Sequence, residues 1–371
     1  MNIASHHIGQ AQEKEPSNNI LYLILSFLSG VLETGVLTAG LMRFDISMGL
    51  AFALSYQTGC LVRNPLRLSL KGAACILCCS LPLLMLGNGR VWVLLLMTAL
   101  VSAGIQSSRE WLLPKQPAVS LSVKRIVRVS GFIGGILVGF WIGMRLIDCI
   151  AILACVAVIP MSIRKVPKHS WINLNKRFES DKYGWIMLCH QTHYFAYAYV
   201  LLAILLPHKI LLSNDTVFFK VTSASGWFAL GWLSYISGQW LLKEKLKMSS
   251  FQAAIAGHTW AAASLFCMAL FHNCEFALGI AWVLGGFGGG SVYAIKDLAK
   301  VNASRADIDL WEHWGHVVGV SLSLFSILVF PSLVILPFVI AFVAVLATLF
   351  MLIRSNGWQL LNEKCTGAPD I

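Results

Sequence analysis

Two imidazoles and two phenols stand at helical spacing inside an apolar run. His190, His193, Tyr194 and Tyr197 fall at i, i+3, i+4 and i+7, within Cys189-His190-Gln191-Thr192-His193-Tyr194 and the residues after it. On a helix these four share one face. Histidine takes up or releases a proton near neutral pH, and with glutamine and tyrosine beside it offers hydrogen bonds to a polar molecule. Imidazoles at i and i+3 can also share a metal, and the pattern returns as His313-x-x-His316. Neither pair reads as Glu-x-x-His, as His-Glu-x-x-His or as the Cys-x-x-Cys-His of haem attachment. Three readings remain for the stripe: handling of a solute or proton, buried structural hydrogen bonding, and a metal site. No metal and no cofactor is expected.

The run that carries the stripe, 184–206, is long enough to cross a bilayer, which needs about 20 apolar residues per helix. Polar groups at that depth are expensive in lipid, so the stripe is expected to face a cavity or the protein interior. The whole chain has the same character, since 57% of its 371 residues are hydrophobic and only 12% charged. That composition excludes a soluble globular domain. The formal net charge of +11 does not signal nucleic acid, because the basic residues sit in alternate loops. The polar first 19 residues contain two glutamates and no basic region leading into a short apolar core; no cleaved signal peptide is expected. The ten cysteines lie mostly in apolar runs and read as packing residues, Cys75, Cys78 and Cys79 included.

Twelve runs of spanning length follow: 20–42, 44–62, 68–88, 91–107, 126–144 and 146–162, then 184–206, 218–242, 251–271, 276–295, 315–333 and 334–353. Placing the N-terminus inside puts all but Arg43, Arg90, Arg145, Lys209 and Lys220 of the 28 Lys and Arg residues on the cytoplasmic side. The positive-inside rule therefore supports this count, with both termini cytoplasmic. The organisation expected is a tail over 1–19, a six-helix bundle over 20–162, a basic linker over 163–183, a second bundle over 184–354 and a tail over 355–371.

A faint repeat relates the bundles. Gly59-Cys-Leu-Val-Arg63 after the second span matches Gly238-Gln-Trp-Leu-Leu-Lys243 after the eighth. Gln106-Ser-Ser-Arg109-Glu110, followed by Gly131 and Gly135, matches Tyr293-Ala-Ile-Lys296-Asp297, followed by Gly315 and Gly319. On these features, with twelve spans and a basic central linker, the chain resembles the major facilitator superfamily of secondary transporters. It keeps the glycine and basic residues of that family's second-to-third loop but lacks the aspartate, which marks a divergent member. Gly131, Gly135, Gly139 and Gly143 beside Gly134 resemble the glycine-rich fifth helix of family antiporters, without its proline.

The resemblance implies an all-α fold of two parallel six-helix repeats around a central cavity lined by the first, fourth, seventh and tenth helices. Glu33, the acid well inside the first span, would then face the histidine stripe. A buried carboxylate can take and release protons. Glu33, His190 and His193 are the candidate proton carriers. Gln106, His190, His193, Tyr194, Tyr197 and Tyr293 are the candidate solute-binding residues. Arg128 and Glu312 hold matching places three residues before Gly131 and Gly315, and opposite charges there suggest a latch between helices. Gly131, Gly135 and Gly139 permit close helix contact, and Gly285 to Gly290, with Gly288 at its centre, predicts a weakly held tenth helix. That glycine run lacks the Lys-Ser/Thr ending of a phosphate loop, so ATP is not the expected energy source.

The expectation is a non-enzymatic, multi-pass transporter of the cell membrane that exports a small polar or amphipathic solute by proton antiport, working as a monomer by family default. The cavity is expected to hold few fixed charges, and a metal chelator such as a siderophore, or a drug-like compound, fits it. The alternatives are an importer of a metal chelate or other small solute, and a membrane metal protein or enzyme built on the histidine pairs.

Overall fold

The structure, a computed structural model, describes residues 16–66, 68–87, 89–112, 121–163, 182–206, 214–289, 291–299 and 305–366. Most of the basic linker expected over 163–183 lies outside them. The described residues are helical throughout: α1 (Pro16–Arg43), α2 (Ile46–Leu66), α3 (Leu70–Leu86), α4 (Val91–Leu112), α5 (Leu121–Ile142), α6 (Arg145–Ile163), α7 (Lys182–Leu205), α8 (Asn214–Trp240), α9 (Ser250–Leu270), α10 (Glu275–Gly289), α11 (Val292–Ala299), α12 (Arg305–Val329) and α13 (Leu336–Thr366). In lipid each backbone N–H and C=O must be satisfied within the chain, which leaves helices as the solution for such a sequence.

Seven segments, in α1, α4, α5, α6, α9, α10 with α11, and α13, are long and apolar enough to cross a membrane among the described residues. The chain is a multi-pass membrane protein. Met85, Trp92, Trp141, Val156, Phe219 and Phe350 are exposed, as side chains facing lipid would be. Helices α2, α7 and α12 put polar side chains toward the interior.

The tenth span, expected as one helix over 276–295, is two helices. α10 stops at Gly289 and α11 starts at Val292, joined through Ser291, whose N–H reaches the Gly288 carbonyl at 3.0 Å. Glycines order poorly in a helix and have no side chain to pack, and the turn at Ser291 follows closely on the run Gly285, Gly286, Gly288, Gly289 that ends α10. At the other end of the chain, α13 runs through residues 355–366, expected as tail.

The two sets of helices repeat one packing pattern. α1 lies on α5 as α7 lies on α12, α2 on α4 as α8 on α10, and α3 on α6 as α9 on α13. Between the sets, α2 packs on α12 and α5 on α8. Glycine sets the closest of these seams. A Cβ on Gly30 would sit 2.5 Å from the Arg128 carbonyl oxygen, and one on Gly135 2.5 Å from that of Val31. In the other set a Cβ on Gly315 would meet the Leu188 oxygen at 2.7 Å, and one on Gly319 that of Thr192 at 2.7 Å. Two ion pairs repeat as well: Arg63 with Glu110 between α2 and α4, and Lys243 with Asp297. Lys243 is presented by a π-helical turn, Leu241–Lys245, that extends α8.

Candidate solute cavity

A cavity of about 390 Å³ lies between the two sets of helices. Its inner end is closed by one apolar cluster to which both sets contribute, Leu37, Leu41 and Leu50 with Leu201, Leu202 and Val320. Its other end reaches the helix ends that carry Glu110 and Arg128, whose side chains are 41% and 37% exposed, against 7% for Glu33. An aromatic wall crosses between the sets, with the rings of Phe132 and Trp232 4.8 Å apart and Tyr194 6.1 Å from Trp232.

The cavity holds more fixed charge than the sequence suggested. Arg63, Arg109, Lys124, Arg125, Arg128 and Lys296 line it, against Glu33, Glu110, Asp309 and Glu312. Apart from Glu33, which was expected inside the first span, these charges stand near span ends and were expected on the cytoplasmic side of the spans. α12, however, begins at Arg305, ten residues before the expected span, and carries Asp309, Glu312 and His313 along the wall. Burial, then the nearby Glu312 charge, pushes the Asp309 carboxyl up to about 6.

Glu33 is buried on α1. Its Oε2 accepts from Arg128 at 2.9 Å and its Oε1 from the Tyr199 hydroxyl at 3.2 Å. Tyr199 stands on α7, so this carboxylate bridges the two sets. Arg128 and Glu312 are not paired with each other. Glu312 takes Lys296 of α11 at 2.6 Å and the Gln191 amide at 3.1 Å, so each expected member of a latch has a partner within its own set. Gln106 lines the cavity while its amide nitrogen donates to Ser29 and Tyr56 and its oxygen accepts from Arg63. Tyr293 lies under the Arg125 guanidinium, 3.8 Å from its ring centre.

Of the α7 stripe, His190 and Tyr194 reach the cavity, and Gln191 and Phe195 do so as well. His193 and Tyr197 turn into the second set, where their rings stack 6.4 Å apart and Tyr197 packs on Trp282 and Phe338. At about 100° per residue, the face that includes Gln191 and Phe195 is centred roughly 80° round from the one expected. Gly131, Gly135 and Gly139 lie in the α1–α5 seam and Gly288 against α9; none lines the cavity.

His258 of α9 has no signal in spacing, since its partner is 68 residues away. Its Nδ1–H donates to the Ala254 carbonyl at 2.6 Å, which makes Nε2 an acceptor for His190 Nδ1–H at 2.7 Å. The acceptor left on the His190 ring is Nε2. His316 of the second pair is held by Gln57 and Gln191 at 3.2 Å each. Among the described residues no group of three His, Cys, Asp or Glu side chains is arranged to hold a metal.

No protein-family model matches the sequence, and no curated protein matches it either. Solved structures do match in shape. The chain superposes on the nucleoside transporter NupG with a TM-score of 0.63, at 14% identity, over 91% of this chain and 98% of that one. A bacterial homologue of the iron transporter ferroportin, in an outward-facing state with soaked iron, gives 0.58 at 13% identity over 90% and 98%. A D-xylose–proton symporter gives 0.53 at 14% identity over 90% and 97%. The chain shares the fold of these membrane transporters.

Proposed function

We propose that the protein is a secondary active transporter of twelve spans with both termini cytoplasmic, in which bundles 20–162 and 184–354 rock about the central cavity. The observation that carries this reading is the cavity itself, closed at one end by apolar side chains from both sets and open at the end that carries the basic residues. Alternating access needs such a chamber in one of its two states, and the positive-inside rule makes the open end cytoplasmic. The repeated helix pairings support the six-plus-six division, and the fold is shared with transporters of a nucleoside, a metal and a sugar–proton pair. Those three cargoes are chemically unlike, so shape alone names none of them.

The cargo we infer is a small polar solute that carries negative charge, alone or beside a positive group, since the lining offers six cations and four carboxylates. Anionic chelators of the siderophore kind belong to that class. Glu33 is the proposed proton carrier: buried, held between Arg128 and Tyr199, and placed where the two sets meet. Export driven by inward proton movement is the proposed direction, with no resident cofactor.

The test compares small molecules inside and outside cells that lack the protein, express it, or express Glu33→Gln. A compound retained in the deletion strain and released by the intact protein but not the variant supports proton-linked export. Accumulation in the opposite sense reverses the direction, and no movement of any compound under any condition rejects the transporter reading.

A further inference from the structure

Hydrogen-bond direction along one buried chain of side chains assigns a charge state to a residue the proposed mechanism does not use. The chain begins at Glu33, an acceptor whose second oxygen is occupied by Arg128. The Tyr199 hydroxyl gives its one proton to Glu33, so its oxygen accepts from the Gln57 amide N–H at 2.6 Å. That fixes Gln57 with its oxygen turned to His316 Nδ1 at 3.2 Å. From the other end, Glu312 is occupied by Lys296 and accepts from the Gln191 amide N–H. That fixes the Gln191 oxygen toward His316 Nε2, also at 3.2 Å. Each carboxylate accepts only, and each amide has one acceptor and one donor end, so both directions are forced. They converge on His316 from opposite sides, and both ring nitrogens face an oxygen. A neutral imidazole has one N–H and can satisfy one of them; an imidazolium satisfies both.

The members are largely buried, with His316 8% exposed, Gln191 6%, Tyr199 3% and Gln57 2%, while Gln57, Gln191 and His316 also line the cavity, so an oxygen left facing a bare nitrogen forfeits a hydrogen bond worth about 1 kcal/mol. Arg63 of α2, Arg128 of α5 and Lys296 of α11 act on His316 from three helices, with His313 on its own. Each of the three fixed cations is paired with a carboxylate: Arg63 with Glu110, Arg128 with Glu33, Lys296 with Glu312. The Phe195 ring of α7 lies against the imidazole at 3.9 Å between centres, a contact that favours a cation.

We propose that His316 is a proton-operated tie between the two sets of helices. Protonated, it joins Gln57 on α2 to Gln191 on α7 and completes an unbroken chain from Glu33 to Glu312. Neutral, it can hold only one of the two amides, and in the Nε2–H tautomer the α2–α12 contact loses a bond that spans the sets. By linkage, the conformation that holds both bonds is the one that holds the proton more tightly. Lower pH therefore favours this conformation, and rising pH favours parting at this contact. His316 is a positioning residue in this scheme; it need not touch the solute. The inference deepens the proposed proton coupling and rests on that reading only for its purpose, since the charge state is a property of the resting protein.

The experiment is nitrogen NMR of the full chain, labelled at histidine nitrogen and held in lipid bilayers, across a pH series. The expected result is one imidazole with both nitrogens protonated near neutral pH, absent from the His316→Gln spectrum, converting to the neutral form as pH rises. Gln57→Glu places a carboxylate against Nδ1 and should move that conversion upward by about one pH unit or more, while Gln57→Leu moves it down. Should His316→Gln fail to fold, the two Gln57 variants identify the resonance by the opposite sense of their shifts. A neutral His316 at all pH values, or an imidazolium signal untouched by every one of these variants, overturns the proposal. Either can happen whether or not a solute is found to move, so its failure is separable from failure of the transporter reading.

Discussion

The two sets of helices share a backbone plan and differ in charge. Gly131 and Gly135 of α5 lie against Phe27 and Val31 of α1, and Gly315 and Gly319 of α12 lie against Leu188 and Thr192 of α7. Residues can therefore be matched position by position across the seams. Where α5 carries Arg125 and Arg128, α12 carries Asp309 and Glu312. Where α1 carries Glu33, α7 carries Tyr194. Contact between backbones leaves no room for a side chain, so the seam positions are held to glycine in both sets, while positions that face the cavity are free to take opposite charge. The seams carry the architecture, and the asymmetry across the cavity carries the chemistry.

The severest way to break the comparison is to fill the seams. Gly131→Leu and Gly319→Leu should each remove most of the folded, monodisperse protein seen by size-exclusion chromatography, since overpacking against backbone costs about 3 kcal/mol or more. If one set accepted leucine at full yield, its seam would not be equivalent to the other.

Breaking the charged contacts should separate the sets. Arg128→Ala strips Glu33 of its buried cation, and we expect solute transport to fall by about 100-fold with a stability loss of about 2–3 kcal/mol, reduced from the fully buried value because Arg128 is 37% exposed. Lys296→Ala leaves Glu312 with the Gln191 amide, and we expect about 1–2 kcal/mol. Equal losses on transport assays and melting curves would mean that the bridge from Glu33 to Tyr199 gives the first site no special role.

Much of the plan was legible in the sequence because periodic signals are local. The Gly-x-x-x-Gly seams, Arg63 and Lys243 at matched turns, and Glu33 as a polar anomaly in an apolar helix could all be read without coordinates. Gln57 and His258 are likewise polar residues inside largely apolar helices, but their meaning depends on partners 259 and 68 residues away. Spacing along one helix cannot supply that. The rotation of α7 that brings Gln191 and Phe195 to the cavity, and turns His193 and Tyr197 from it, was equally hidden. An all-apolar environment on both sides of a helix gives the stripe no unique direction.

A smaller effect follows from the acidic side of the asymmetry. The folded-state value of the Asp309 carboxyl is raised from 3.8 to about 6 by burial and by Glu312. Between those two values the folded protein holds more protons than the unfolded chain, so stability falls as pH rises through this range and stays lower above it. Asp309→Asn should raise the thermal midpoint at neutral pH, leave it nearly unchanged below the lower value, and flatten the profile between. A variant that melts in parallel with the parent at every pH would place the carboxyl in water.

The smallest expected difference is the sharpest test of equivalence, because it compares two ion pairs at matched turns. Arg63 meets Glu110 at 2.5 Å with its own side chain 3% exposed, and it also reaches Gln106. Lys243 meets Asp297 with side chains 26% and 38% exposed. A buried guanidinium that loses its carboxylate has little water to replace it, whereas an exposed ammonium does, and arginine's planar fork binds two acceptors where lysine offers a point charge. Glu110→Gln should therefore lower stability by about 1–2 kcal/mol, and Asp297→Asn by less than about 1 kcal/mol. High salt should widen the gap by weakening only the second pair. The reverse order would mean that the π-helical turn bearing Lys243 depends on its ion pair for its shape, and that the two turns, although matched in sequence, are held by different forces.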